Sequence, residues 1–437
     1  MFAPLYTADE MRAAEQGHDV ETMMERAGRG VADAVLHRFP DARRVAAVCG
    51  KGANGGDGRI ALQVLAEAGL EASERLEGAD VVIDALFGTG FHGAPREDAA
   101  ALIEGINTAD APVVAVDLPS GVDASTGEVA GAVVNADVTV TMHAPKVGLA
   151  VAPGRFHAGA VEVVDIGIET GETRNSLVTE EVLALVPRKR ESDTKYSAGT
   201  VLVVGGSPGM SGAVCLATEA AFRADAGYVA VATHPETLPI VEARVLEAVK
   251  ATLQEVDRLA ERASSVAIGP GLGRGDGERA LVARLLREVQ VPAVVDADAL
   301  FELEPDDWPA PRVLTPHSGE LARLLGRDSD WVDAHRLEAV QAAVDRFRCV
   351  VLLKGADTLV AAPAEGVLVS ASGTPALATA GSGDVLTGIV AAFLAKGVDA
   401  RLAAAAGTFA HGRAAELGPE RGLVASDLID GLPDVLA

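Results

Sequence analysis

The sequence predicts an α/β protein of two domains, each a mainly parallel sheet covered by helices. Three observations predict it. Short β-branched runs alternate with helix-length segments along nearly the whole chain, the pattern of repeated βαβ units. The alternation lapses once, over residues 170–193, a polar stretch ending in Pro187-Arg188-Lys189-Arg190-Glu191. At 437 residues the chain exceeds one ordinary core and suits two. The expected division is a domain over 1–175, a linker over 176–192 and a domain over 193–437. With 47 glycines and only 3% aromatic residues, the cores are expected to be tight helix–sheet layers.

The elements follow in order. Residues 8–37 read as helix, with Met23, Met24, Ala27 and Val31 at helical spacing. Val45–Val48 reads as a strand, Arg59–Ala68 as a helix, and Val81–Ile83 and Val113–Val116 as strands around a helix near 96–107. Strands at 138–140 and 161–164 complete the first half. A short helix over 180–186 falls in the polar stretch. In the second half, strands read at 201–204, 228–232, 265–268, 293–296 and 350–353, and helices at 212–225, 383–396 and 400–417. No internal repeat is visible.

Charge and composition exclude several classes. The formal charge of −26, from 63 acidic and 37 basic residues, opposes binding to nucleic acid or an anionic membrane. Cys49, Cys215 and Cys349 have no ligand spacing and sit in apolar runs, so they read as small buried hydrophobes. Met1-Phe2-Ala3-Pro4 lacks the charged-then-apolar pattern of a signal peptide, and no run of about 18 apolar residues occurs, so a cytoplasmic protein is expected.

Four polar strand ends in the first half point to a site. Gly50-Lys51-Gly52-Ala53-Asn54-Gly55-Gly56-Asp57-Gly58 follows a strand and opens a helix, where glycines and free N–H groups admit an anionic ligand. It is not the G-x-G-x-x-G dinucleotide fingerprint. Asp84-Ala85-Leu86-Phe87-Gly88-Thr89-Gly90, Asp117-Leu118-Pro119-Ser120-Gly121-Val122-Asp123 and Ala144-Pro145-Lys146-Val147-Gly148 follow three further strands. Singly, Asp84 or Asp117 reads as a cap or turn residue; in a parallel sheet the four ends converge.

The second half carries a stronger signal. Ala380-Gly381-Ser382-Gly383-Asp384 is a Gly-rich turn running into an amphipathic helix, a site for a phosphoryl group with a carboxylate beside it. Asp384 is placed to take a proton from a hydroxyl. Lys354-Gly355-Ala356-Asp357-Thr358 puts a point charge after a strand, suited to phosphate. Thr315-Pro316-His317-Ser318-Gly319-Glu320, Asp296-Ala297-Asp298, Gly269-Pro270-Gly271-Leu272-Gly273 and Gly205-Gly206-Ser207-Pro208-Gly209-Met210-Ser211-Gly212-Ala213 complete the set.

The motifs NGGDG, DALFGTG, DLPSGVD and APKVG resemble the NAD(P)H-hydrate epimerase family over residues 5–170, as does Met23-Met24-Glu25-Arg26-Ala27-Gly28. The second set resembles the ADP- or ATP-dependent NAD(P)H-hydrate dehydratases over 195–432. The resemblance implies a Rossmann-like three-layer α/β/α domain followed by a ribokinase-like α/β domain. It implies an isomerase and a lyase in one chain, acting on NAD(P)H hydrate with ADP or ATP. In the first half it implies potassium near Asn54, Asp84 and Ser120. Substrate contacts are implied for Ala53, Asn54, Gly55, Gly56, Asp57, Gly88, Thr89, Gly90, Phe91, His92, Gly93, Ala94 and Asp117. We expect Asp117 to handle the proton and Lys146 to offset charge. In the second half the resemblance implies nucleotide contacts at Lys354, Gly355, Ala356, Asp357, Thr358 and Gly383. Hydrate contacts are implied at Ala213, Gly271, His317 and Asp384, with magnesium on the phosphates. Self-association is common in both families and is expected here.

Two departures stand out: Ala53 replaces the family's usual Asn, and Thr194-Lys195-Tyr196 replaces its frequent His-Lys-Gly. The sequence leaves ADP and ATP unresolved. A rival reading is a vitamin or sugar kinase fused to a non-catalytic nucleotide-binding scaffold, since the G-S-G-D turn serves the ribokinase-like fold broadly.

Overall fold

Strands joined through intervening helices pair in parallel, and both halves of the chain follow that rule. In the computed structural model, which describes residues 2–437, the chain divides into two units. One comprises residues 4–176 with 333–336; the other comprises residues 2–3, 177–332 and 337–437.

The sheet of the first unit runs Glu71–Ser73, Arg44–Cys49, Val81–Ala85, Val113–Val116, Val138–Met142, Ala160–Val164. Every neighbouring pair is parallel. Val81, Ile83 and Ala85 pack with Ala27, Val31 and Val35 of helix Val20–Arg38 and with Ala61 and Leu65 of helix Ala53–Glu67. Val82, one residue out of phase, packs instead with Ile103 and Ile106 of helix Glu97–Asn107. Helices on both faces make the predicted three layers.

Two helices differ from expectation. The segment 8–37 breaks into Ala8–Glu15 and Val20–Arg38. Gly17 between them takes φ 86°, and Asp19 caps the second helix by accepting from the Thr22 N–H at 2.9 Å. The helix expected from Arg59 begins at Ala53. Glycines at 55, 56 and 58 lower helix propensity and hid this start. Their reason is close approach: a Cβ on Gly55 would lie 2.0 Å from the Gly50 carbonyl oxygen, and one on Gly58 2.5 Å from Ala85 Cβ.

In the second unit, nine strands run Leu368–Ser370, Thr358–Ala361, Val350–Leu353, Arg312–Leu314, Ala293–Val295, Ser265–Ile268, Thr200–Val204, Tyr228–Thr233, Val249–Thr252. Neighbours are parallel except the two pairs made by Thr358–Ala361, which are antiparallel. Val201 and Val203 pack in a core with residues of helices Ser211–Arg223, Ser382–Ala395, Ala400–Leu417 and Ala425–Val435. Leu202 and Val204 point the other way and are equally buried, as expected of a parallel sheet covered on both sides. Residues 177–192, expected as linker, group with this unit. They carry the 3-10 helix Glu180–Leu185, whose Val182 is fully buried in the same core. No helix among the described residues is long and apolar enough to cross a membrane.

Arg312 is buried to 1% exposure. Its Nη1 donates to the carbonyls of Val291 (2.9 Å) and Pro311 (3.1 Å), and Nη2 to those of Leu286 (2.7 Å) and Val289 (2.8 Å). Leu286 lies in the last turn of helix Asp276–Glu288 and Val289 just beyond it, so the guanidinium satisfies carbonyls the helix end leaves orphaned. Burial pushes its pKa down to about 10, which leaves it charged at neutral pH. Arg312→Met should therefore destabilise the second unit by about 3 kcal/mol, the cost of stranding buried carbonyls. The check is a lower midpoint in calorimetry.

Candidate active sites

The loops that follow the parallel strands of the first unit share one edge of the sheet. A cavity of about 950 Å³ opens there. Of the expected contacts, Ala53, Asn54, Asp57, Gly88, Thr89, Gly90, Phe91, His92, Ala94, Asp117 and Lys146 line it together. Gly55, Gly56 and Gly93 do not line it. Gly55 faces the Gly50 carbonyl and Gly56 lies against Met24, so these two set the path of the helix. Sequence reading missed Met11, Glu15 and Met142, which also line the cavity. The two methionines are core-like by pattern, and Glu15 resembles any solvated helix residue. The rings of Phe87 and Phe91 stack with centroids 4.7 Å apart and add a flat apolar wall.

Asp117 leaves strand Val113–Val116 with φ 69°, a left-handed backbone. Its Oδ1 accepts from Lys146 Nζ at 2.6 Å and from Thr141 Oγ1 at 3.2 Å. Lys146 is fully buried and also donates to Thr141 Oγ1 (3.0 Å) and the Met142 carbonyl (2.7 Å). The ammonium is thus locked, and its charge is spent on one carboxylate facing the cavity. Asp57, on the second turn of helix Ala53–Glu67, is the other buried carboxylate there. Burial, then the charges of Asp117 and Glu15, push its pKa up to about 7. Burial and Asp117 raise Glu15 as well.

Asp84 lies inside strand Val81–Ala85 and is fully buried, rather than in the loop after it. Its oxygens accept from the Ser120 N–H (2.7 Å), Ser120 Oγ (2.7 Å) and the Leu86 N–H (3.2 Å). Ser120 Oγ accepts from the Phe87 N–H at 2.9 Å, and Asn54 Nδ2 donates to the Phe87 carbonyl at 2.9 Å. Asn54, Asp84 and Ser120 therefore meet around residues 86–88. Burial pushes Asp84 up to about 6, opposed by its hydrogen bonds. Among the described residues it has no cationic partner, which leaves a buried negative charge suited to a monovalent cation with oxygen ligands.

In the second unit the same logic gathers the loops after Thr200–Val204, Ser265–Ile268, Ala293–Val295, Arg312–Leu314 and Val350–Leu353. Helix Ser382–Ala395 starts from Gly381 at φ 88° with no side-chain cap; the Ser382 N–H donates to the Thr379 carbonyl, and the next N–H groups, of Gly383 and Asp384, are the ones at its start available to an anion. Asp384 is the third residue of that helix. Its pKa is pushed up to about 7 by burial and by Asp296, against Lys354, with smaller contributions from Asp298 and Glu320. Lys354 Nζ holds Asp296 Oδ1 at 2.8 Å and lies 3.9 Å from Glu320 Oε2. A Cβ on Gly383 would come 3.4 Å from that ammonium, which places Lys354 at the helix N-terminus beside Asp384. Burial alone would lower the pKa of Lys354; Asp296, Glu320 and Asp384 outweigh it and the net direction is up.

The remaining expected residues divide. Ala213 and Gly271 meet: a Cβ on Gly271 would lie 3.1 Å from that of Ala213. Gly355 and Ala356 are exposed, Asp357 is buried, and Thr358 Oγ1 donates back to the Gly355 carbonyl at 3.1 Å. His317 caps helix Ser318–Leu325, its Nδ1 accepting from the Gly319 N–H at 3.0 Å, while its side chain stays 58% exposed. Sequence reading missed Asp296, Thr387 and Glu320 as one network. Thr387 Oγ1 donates to Asp296 Oδ2 at 2.7 Å, and Glu320 accepts from the His317 N–H at 2.9 Å. Asp298 pins the Gly269–Gly273 turn, accepting from the Gly273 N–H at 2.9 Å and Arg274 Nε at 2.7 Å.

Comparison with known proteins finds a family match for each half of the chain. A family profile described as NAD(P)H-hydrate dehydratase matches residues 201–434. One described as YjeF-related protein N-terminus matches residues 20–74 and 70–148. The chain is 38% identical to the bifunctional NAD(P)H-hydrate repair enzyme Nnr of Moorella thermoacetica, across 98% of this chain and 94% of that one. The ADP/ATP-dependent NAD(P)H-hydrate dehydratase from Bacillus subtilis, co-crystallized with ATP/Mg2+, is 30% identical with a TM-score of 0.55, covering 59% of this chain and 96% of that one. A ribokinase-like superfamily protein from Enterococcus faecalis V583, at 22% identity and TM-score 0.55 over 61% and 97%, shows the fold alone. Matched along its whole length, with a separate profile for each half, the chain belongs to the family of bifunctional NAD(P)H-hydrate repair enzymes.

Proposed function

We propose that the first unit interconverts the R and S forms of NADH hydrate and NADPH hydrate. The second unit then dehydrates the S form at the expense of ADP or ATP, releasing phosphate with AMP or ADP. One observation carries the reading: a half-buried carboxylate, Asp384, stands at an uncapped helix N-terminus beside the Lys354 ammonium. That arrangement holds a phosphoryl group and removes a proton from the hydroxyl that attacks it. Asp384 takes the proton of the C6 hydroxyl as the hydroxyl oxygen bonds to the terminal phosphorus of the nucleotide, and the bond from that phosphorus to the bridging oxygen breaks, its electron pair leaving on AMP or ADP. The N–H groups of the first helical turn and Lys354 carry the charge of the phosphoryl oxygens. Phosphate then leaves C6, pushed by the ring nitrogen, and the proton lost from C5 restores the ring double bond. Magnesium would accompany the nucleotide and offset the charge of its phosphates; the Bacillus subtilis relative was co-crystallized with ATP/Mg2+.

In the first unit, Asp117 faces the cavity and handles the proton of the oxygen on C6, with Lys146 offsetting its charge. Asn54, Asp84 and Ser120 are the residues that would hold potassium. The ion would supply the counter-charge Asp84 lacks and fix the loop that lines the cavity.

The test gives the chain racemic NADH hydrate with potassium, magnesium and either ADP or ATP, and follows restored NADH. We expect conversion well past half, at a rate above spontaneous epimerisation. Conversion that stops near half leaves only the dehydratase. No conversion with either nucleotide overturns the dehydratase reading.

A further inference from the structure

The cavity of the first unit holds two buried carboxylates on different elements, and only one has a partner cation. Asp117 is paired with Lys146. Asp57 is 8% exposed, and among the described residues its Oδ1 has no hydrogen-bond partner. A carboxylate in the first turn of a helix would be explained by the free N–H groups there. Asp57 is the fifth residue of its helix, past that turn, so capping does not account for it. A buried, unpartnered carboxyl oxygen is costly unless something else uses it, and the cavity it lines is where a ligand would.

We propose that Asp57 is a catalytic acid of the epimerisation, working as the proton-bearing partner of Asp117. The inference rests on the epimerase reading of this cavity and goes beyond it. C6 of the hydrate carries the hydroxyl and is bonded to the ring nitrogen N1. Asp57 gives its proton to that hydroxyl. The C6–O bond breaks, its electron pair leaves on water, and the N1 lone pair closes a C6=N1 bond. Water adds to the opposite face of C6 and the C6=N1 pair returns to N1. Asp117 takes the surplus proton from the added water. The configuration at C6 is inverted, one proton has moved from Asp57 to Asp117, and solvent returns it. In the reverse direction the two residues exchange roles.

Such a reversible reaction needs one group that holds its proton and one that does not. The surroundings separate the two carboxylates in that sense. Asp117 has the Lys146 ammonium 2.6 Å away and Asp57 has no cation beside it, while burial and the charges of Asp117 and Glu15 push Asp57 up to about 7. Cys49, Lys51, His92, Arg96 and Asp98 also line the cavity and are the other charged or titratable groups in reach of the substrate.

The experiment measures initial epimerisation of R-enriched NADPH hydrate in the full chain, without nucleotide so that the second unit is silent. For Asp57→Asn we expect kcat at least about 100-fold lower with KM within about threefold, the loss of one acid–base partner. The wild-type rate should fall as pH rises through about 7, where Asp57 loses its proton, and Asp57→Asn should lack that limb. Asp57→Glu should recover part of the rate and the limb with it, and it keeps the test open if the Asn variant melts early. A kcat within about threefold of wild type, or a change in KM alone, overturns the inference while leaving the epimerase reading standing. No wild-type epimerisation above the spontaneous rate removes both.

Discussion

Asp384→Asn is expected to leave the second unit about 1,000-fold slower in kcat, because a side chain of the same shape can no longer take the hydroxyl proton. The N–H groups of helix Ser382–Ala395 and the Lys354 ammonium are untouched by the change, so KM for ADP or ATP should move by less than about threefold. The pH profile supplies an independent reading. Burial and Asp296 raise Asp384 to about 7, and a base works only when ionised, so the wild-type rate should fall as pH drops below about 7. The residual activity of the Asn variant should lack that dependence. Stability should hold or rise, since the substitution removes a carboxylate from the neighbourhood of Asp296, Asp298 and Glu320. The measurement is restored NADH against time across pH; an unchanged kcat would take Asp384 out of the reaction.

Lys146→Met should be the most damaging single change in the first unit. The ammonium is fully buried and holds Asp117, Thr141 and the Met142 carbonyl at 2.6–3.0 Å. Removing it strands the Asp117 charge, and breaking one side of a buried pair costs about 3–5 kcal/mol. The expected signs are a lower unfolding midpoint and loss of epimerisation, with dehydration of the S form retained while the second unit stays folded. Replacing both partners, as Lys146→Met with Asp117→Asn, whose side chain tolerates the left-handed backbone, should recover part of the stability and none of the activity. A midpoint equal to wild type for the single variant would show that the pair is not worth its burial.

Most central strands of both sheets were legible because β-branched runs followed by a glycine turn carry a strong local signal, as at Val350–Leu353 and Ser265–Ile268, whereas Val249–Thr252 and Thr358–Ala361 were not read. Short strands such as Glu71–Ser73 and Leu368–Ser370 were not, since three residues make no pattern and their partners lie far along the chain. The helix start at Ala53 was hidden by its glycines, which look like loop until the Gly50 carbonyl behind Gly55 is seen. The Gly-rich turns and Asp384, Asp117 and Lys146 were legible as polar residues at strand or helix ends. Partnership was not: nothing local says that Lys354 holds Asp296, 58 residues away, or that Arg312 serves a helix end 23 to 26 residues earlier. Those links are set by strand order. His317 shows the opposite case, a residue whose capping bonds are local and whose side chain remains half open.

The left-handed backbone at Asp117 has an evolutionary consequence. A φ of 69° is more easily held by glycine or asparagine than by most residues, and here it is combined with a buried charge. The first unit therefore keeps at its centre a side chain that folding alone would not choose. A lineage released from selection for epimerisation should lose this aspartate early, drifting toward asparagine or glycine with Lys146 following, while the surrounding valines persist. Position 117 would then work as a marker: among descendants of this fold, the residue there would separate working copies from scaffolds that only keep the shape.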